Sequence, residues 1–155
     1  MPGRIEVPMN SGIEIARRAG RIVYDMSGPE LDVWPLGVAQ IDIGPEDPHG
    51  PCMLAVNMRP GIYFAAHYHN SDQIAVVVEG AFRVGRTWYG PGSIRVQEEG
   101  AVYGPVQSGP EGCKIVGFFA DRSDVSDHHA TERDRLKAEE LKEKYFRSGQ
   151  GSTGV

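Results

Sequence analysis

Cysteine is scarce in this chain. Its 155 residues include two, Cys52 and Cys113, too few for a disulfide framework and without a Cys-x-x-Cys pair that could bind zinc or exchange disulfides. Both are expected to be reduced, small interior side chains, with Cys113, in a late apolar run, placed near a pocket wall if it has a role. Positive charge is also short. The formal net charge is -5, and no basic face is visible, which argues against nucleic acid as a partner. No run of about 18 apolar residues exists to span a membrane. The stretch "MPGRIEVPMNSG" at residues 1–12 has no apolar signal core, so the expected location is cytoplasmic.

What is present is a β-type composition. Apolar residues make up 40% and charged residues 24%, the balance of a folded soluble domain rather than a disordered chain. The length fits one domain with a sizeable core. Glycine (20) and proline (11) are abundant, and together with many Val and Ile they favour a turn-rich β protein. Residues 11–20, "SGIEIARRAG", read as a short helix or an arm. From Arg21 onward, short apolar runs follow one another: 21–26, 31–36, 37–43, 52–58, 61–69, 73–80, 81–89, 92–97, 101–107 and 113–120. They are separated by "GPEDPHGP", "RPG", "NSD", "YGPG", "EEG" and "SGPEG". Short strands at this spacing predict a sandwich or barrel, and no helical run interrupts them as a βαβ fold would require. After Ala120 the sequence becomes charged and rich in helix formers. A helix is predicted over 129–147, with Leu136, Leu141 and Tyr145 near one face and Glu139 and Glu140 near lysines. Its apolar stripe is thin, so it should pack on the barrel or on a second subunit. The last residues, "SGQGSTGV", are expected to be disordered.

The chemistry concentrates in "GIYFAAHYHNSDQIAVVVEG", residues 61–80. Residues two apart on a strand share a face, so His67 and His69 should project together, with Tyr63 and Ala65 on the same side. Two imidazoles on one inward face can each offer a nitrogen to one ion. Gln73 opens the next run, and Ala75 and Val77, on its face, are small enough to leave an apolar cavity. The bland alternative is a hydrogen-bonded pair of strand histidines.

The spacing Gly61, five residues, His67-x-His69, three residues, Gln73, six residues, Gly80 resembles the first motif of the cupin superfamily, in which an acidic ligand stands at the position of Gln73. "GPGSIRVQEEGAVYGPVQ", residues 90–107, resembles the second motif through Gly92 and Gly100, with Tyr103 where a last histidine ligand is usual. The likeness covers roughly residues 50–120, and the chain resembles small, single-domain, RmlC-like bacterial cupins. It implies an all-β fold, a cupin-type jelly-roll β-barrel with a C-terminal α-helix, usually forming a homodimer. The implied division is residues 1–125 for the barrel with an N-terminal arm, its core at about 50–120, and residues 126–155 for the helix and tail.

The resemblance also implies a divalent transition metal (Fe, Ni, Zn, Co or Mn) on His67, His69, Gln73 and Tyr103. Both departures from the usual ligands remove charge. Gln73 brings a neutral amide oxygen, and Tyr103 a phenol with an intrinsic pKa near ~10. The expected site is therefore weaker than one with three histidines and a glutamate, with positions open to water or substrate. Three readings follow: a metal-dependent enzyme acting on a small molecule, with Tyr103 as a catalytic residue; a non-catalytic cupin that binds a small ligand; and a metal-free enzyme using Tyr103 with His67 or His69 as acid and base.

Other residues carry weaker expectations. Tyr63 reads as barrel packing, and one of Phe118 and Phe119 should face inward. Trp88 lies at a hairpin end, where it could cap the barrel or an interface. Arg95 reads as solvated on the outer face, although pointing inward it would anchor a carboxylate. Glu98 and Glu99 read as surface charge. His49 has no visible partner, and the adjacent His128 and His129 are discounted as ligands.

Overall fold

A computed structural model describes residues 5–6, 14–18, 21–24, 26–27 and 31–150. Among the described residues ten strands precede one helix: β1 (Ile5–Glu6), β2 (Glu14–Arg18), β3 (Arg21–Tyr24), β4 (Leu36–Asp42), β5 (Cys52–Met58), β6 (Tyr63–Phe64), β7 (Gln73–Val84), β8 (Thr87–Tyr89), β9 (Ile94–Gln97), β10 (Val106–Phe119) and α1 (Glu132–Gln150). The fold is antiparallel β with a C-terminal helix, the class predicted from sequence. The main sheet has the order β1-β4-β5-β10-β7-β8, with β6 on β10 and β9 on β7, while β2 and β3 form a separate pair. Its hydrogen-bonded path does not close on itself. One face nevertheless wraps a common interior, because Val38 of β4, Leu54 of β5, Ala75 of β7, Arg95 of β9 and Gly117 of β10 all line a single cavity.

Several local expectations are corrected. Residues 14–18 are not a helix but a strand paired with 21–24. The run 31–36 contributes only Leu36 to a strand. "SGPEG" does not separate two strands, because β10 passes through it with a register shift between Ser108 and Cys113. The reason is a facing pair of glycines. Gly80 of β7 and Gly112 of β10 have φ of 78° and 83°, and a Cβ on Gly80 would lie 2.2 Å from the Gly112 carbonyl oxygen. Both strands therefore bend together at a point only glycine tolerates.

The core inside the sheet comprises Met58, Ala75, Val77, Phe82, Val106, Cys113 and Ile115. Cys113 belongs to that core, and both cysteines are buried and unlinked. Desolvation raises the Cys113 thiol to about 12 and, with the Asp42 charge adding to it, the Cys52 thiol to about 11.

The helix starts at Glu132 rather than 129 because Thr131 caps it. The Thr131 hydroxyl accepts from the Asp134 amide at 3.1 Å, an N-cap, and donates to the Asp134 carboxylate at 2.7 Å, which holds the hydroxyl in place. The helix continues through residues 148–150, predicted as tail, and residues 151–155 lie outside the described residues. It packs on the sheet edge at β6. Leu141 is buried, the Tyr63 amide donates to the Tyr145 hydroxyl at 2.7 Å, and Trp34 Nε1 donates to the Tyr145 carbonyl at 3.0 Å. Leu136, expected on that face, is exposed. No helix among the described residues is long and apolar enough to cross a membrane.

Candidate metal centre

The segment 67–69 lies between two others through backbone pairing. His67 and Tyr103 exchange N–H to carbonyl bonds, each 2.9 Å, and Tyr68 and His128 do the same at 2.8 and 3.0 Å. This clamp holds both histidines on the inner side, where they are almost fully buried. Gly104 permits the close approach: its φ is 105°, and a Cβ there would sit 3.1 Å from the Ala66 Cα. The face shared with Tyr63 does not extend this far. Strand β6 ends at Phe64, and the chain then folds back so that His67 Nδ1 reaches the Ala65 carbonyl at 2.8 Å. Phe64, not Tyr63 or Ala65, lines the cavity beside the histidines.

Both imidazoles have a defined tautomer. A carbonyl oxygen can only accept, so Nδ1–H of His67 donates to Ala65 O, and Nδ1–H of His69 donates to Ser126 O at 2.9 Å. Burial lowers both histidine pKa values, against an opposing pull from Asp127, and this favours the neutral rings. Each then turns an Nε2 lone pair inward. The Tyr103 hydroxyl lies 2.8 Å from the first Nε2 and 3.2 Å from the second. The Asp127 Oδ1 lies 3.5 and 3.7 Å from the same two atoms. His67, His69 and Asp127 thus form a group that could hold a metal ion, their ligand atoms all within 4.8 Å of one another.

Burial pushes the Tyr103 phenol up, with Asp127 acting in the same direction and Arg95 and Gln73 against it. Tyr103 is therefore a neutral hydroxyl here, with one proton for two imidazole acceptors. Gln73 is buried on the same cavity wall, its Nε2 without a hydrogen-bond partner. An edge-on contact with Phe119, ring centres 5.2 Å apart, backs His69. Phe119 is the inward member of its pair, and Phe118 faces out.

The cavity holds about 320 Å³ and is mostly apolar. Asp127 and Arg95 are the two charged residues on its wall among the described residues; sequence reasoning missed Asp127 and favoured the outer face for Arg95, with the inward position as its alternative. Asp127 lies in the polar connector, and nothing local signals that His128 pairs with Tyr68. Arg95 does not face solvent. Its guanidinium carbon is 4.0 Å from the centre of the Tyr103 ring. His49, expected to be unpaired, contacts Asp121 at 3.2 Å on the surface. His129 Nδ1 donates to the Ala66 carbonyl at 3.0 Å, and its ring centre is 6.4 Å from that of His67.

No family model matches the chain, and no curated protein does. Among solved structures it is similar to the polyketide cyclase RemF from Streptomyces resistomycificus, at 14% identity over 63% of this chain and 75% of that one, with a TM-score of 0.49. It is similar to KdgF from Halomonas sp., at 25% identity over 54% and 80%, with a TM-score of 0.42. A third similar structure is an RmlC-like cupin from Shewanella frigidimarina NCIMB 400, at 18% identity over 54% and 75%, with a TM-score of 0.44.

Proposed function

We infer that this chain is a small cupin-type protein that holds a divalent transition metal inside its sheet and acts as an enzyme on a small molecule. His67, His69 and Asp127 are the proposed ligands, with Gln73 and Tyr103 beside them. The supporting observation is a shortage of protons. Two buried imidazole lone pairs share a hydroxyl that can donate to only one of them, and the Asp127 carboxylate lies 3.5 and 3.7 Å from the same two nitrogens. A cation at that point satisfies acceptors that otherwise face one another. The donor set, two imidazoles with one carboxylate, suits iron, nickel, zinc, cobalt or manganese.

A bound ion of this kind supplies a Lewis acid that polarises a substrate oxygen. The chain's own residues do the rest. The backbone acceptors of Ala65 and Ser126 fix both rings. The apolar wall keeps bulk water from the substrate. Tyr103 holds its proton at Oη, within reach of His67 Nε2, and is the proposed proton carrier. That same contact favours a second reading, metal-free acid–base chemistry by Tyr103 and His67. A third, binding without turnover, differs only in whether a product forms.

Metal analysis of the purified protein, followed by calorimetric titration of chelator-treated protein with zinc, nickel and manganese, tests the reading. Wild type should bind, and His67→Ala and His69→Ala should not. Equal binding by all three proteins would overturn it. Turnover of a small-molecule panel then separates enzyme from binder.

A homodimer is part of the proposal. Strand β9 turns Ile94 and Val96 to solvent, 66% and 72% exposed, beside exposed Ile74 and Phe118. An apolar sheet face of this kind suits burial against a second copy.

A further inference from the structure

Strand β9 has its alternation inverted. Isoleucine and valine face out at 94 and 96, while the arginine between them faces the cavity. The pairing that imposes this places Ala75 of β7 opposite Arg95, so the arginine shares the inner face of the buried Gln73 and Ala75. Nothing in the fold uses its donors fully. Arg95 Nε and Nη1 are buried without a hydrogen-bond partner, and no carboxylate among the described residues lies within ion-pair distance. The guanidinium carbon lies 4.0 Å from the Tyr103 ring centre and 5.7 Å from that of Phe82. Gln73, 4% exposed, adds a third unpartnered donor, Nε2, on the same wall.

Buried donors without acceptors are costly, and those here surround an apolar space of about 320 Å³. We propose that Arg95 and the Gln73 amide anchor the carboxylate of an apolar monocarboxylic acid whose hydrocarbon part fills the cavity. The proposal rests on the reading of this cavity as the functional site. A planar guanidinium matches a carboxylate in shape and charge. Arg95 and Asp127 on the cavity wall already offset one another, so a monocarboxylate leaves one net negative charge and a phosphate dianion two, which disfavours the dianion. Phe64, Phe82 and Phe119 on the wall accept an aromatic or aliphatic body of about ten heavy atoms and offer little to a sugar.

The test uses two acid–amide pairs, phenylacetate with phenylacetamide and hexanoate with hexanamide, titrated calorimetrically into the full-length protein, both chelator-treated and zinc-treated. In metal-free wild type at least one acid should bind about tenfold or more tighter than its amide, the scale of a charge-assisted hydrogen bond. R95M should lose that preference while still melting cooperatively and taking up zinc, and R95K should recover part of it. Wild type that does not prefer either acid, including one that binds neither, overturns the proposal, as does an unchanged preference in R95M. Zinc uptake measured on the same samples separates the two ideas. Uptake without acid preference leaves the metal reading standing and removes the carboxylate anchor. Acid preference lost in R95M, with no zinc uptake by wild type, does the reverse.

Discussion

The hydroxyl of Tyr103 lies 2.8 Å from Nε2 of His67 and 3.2 Å from Nε2 of His69, bridging the two histidines from the backbone segment paired beside them. With both Nδ1 atoms donating to backbone carbonyls, that hydroxyl is the proton source nearest to two acceptors. Tyr103→Phe should therefore destabilise the metal-free protein by about 1–3 kcal/mol, the cost of leaving buried acceptors unpaired. Urea denaturation with a chelator present measures this, and an unchanged midpoint would show that the bridge carries no stability.

Charge at the site should set metal affinity. Asp127 is the carboxylate of the candidate ligand group, so Asp127→Asn should weaken divalent binding. Gln73→Glu should tighten it, each change being roughly 1–3 kcal/mol. Calorimetric titration with zinc and nickel reads both. Equal affinities in wild type and Asp127→Asn would remove the carboxylate from the ligand set.

Stability should depend on the neutral histidines. Burial lowers the pKa of His67 and His69 in the fold, so the unfolded chain binds protons first as pH falls. The stability they confer is present above about pH 6.5, the unfolded value, and is lost as pH drops through the folded values. Metal-free protein should thus have a lower urea midpoint at pH 5.5 than at pH 7.5. The double variant His67→Gln, His69→Gln should show a smaller drop, and an equal drop in both proteins would assign the acid sensitivity elsewhere.

The thiols run the opposite way. With Cys52 raised to about 11 and Cys113 to about 12, the folded state holds protons that the unfolded state releases near pH 9. Their contribution is intact below that value and falls as pH rises through the folded ones. Alkylation at pH 8 should be slow in native protein and label two thiols per chain once denaturant is added. Rapid native labelling would contradict the buried, protonated state.

The outward apolar face of β9 should hold two copies together. Wild type is expected to run as a dimer in light-scattering chromatography, and the double variant Ile94→Lys, Val96→Lys as a folded monomer. A wild-type monomer would leave that face without the proposed partner.

Much of the architecture was legible in local sequence. Short apolar runs, glycine-rich breaks and a charged helical tail report backbone propensity and solvent exposure, which depend on near neighbours. The His-x-His pair was visible because alternation puts residues two apart on one side. What the sequence left open was pairing between distant segments. Tyr63 lost its expected place beside the histidines because β6 ends at Phe64 and the chain folds back at Ala65. Arg95, flanked by Ile94 and Val96, reads locally as the polar outer residue. The register Ala75 to Arg95 overrules that reading, because a one-residue choice of register exchanges the faces of a whole strand. Asp127 reaches the site because His128 pairs with Tyr68, a contact that closes a long loop and has no local mark. The chain's own residues therefore determined which groups could do chemistry, while strand register and loop closure, set by packing of the whole sheet, decided which of them meet.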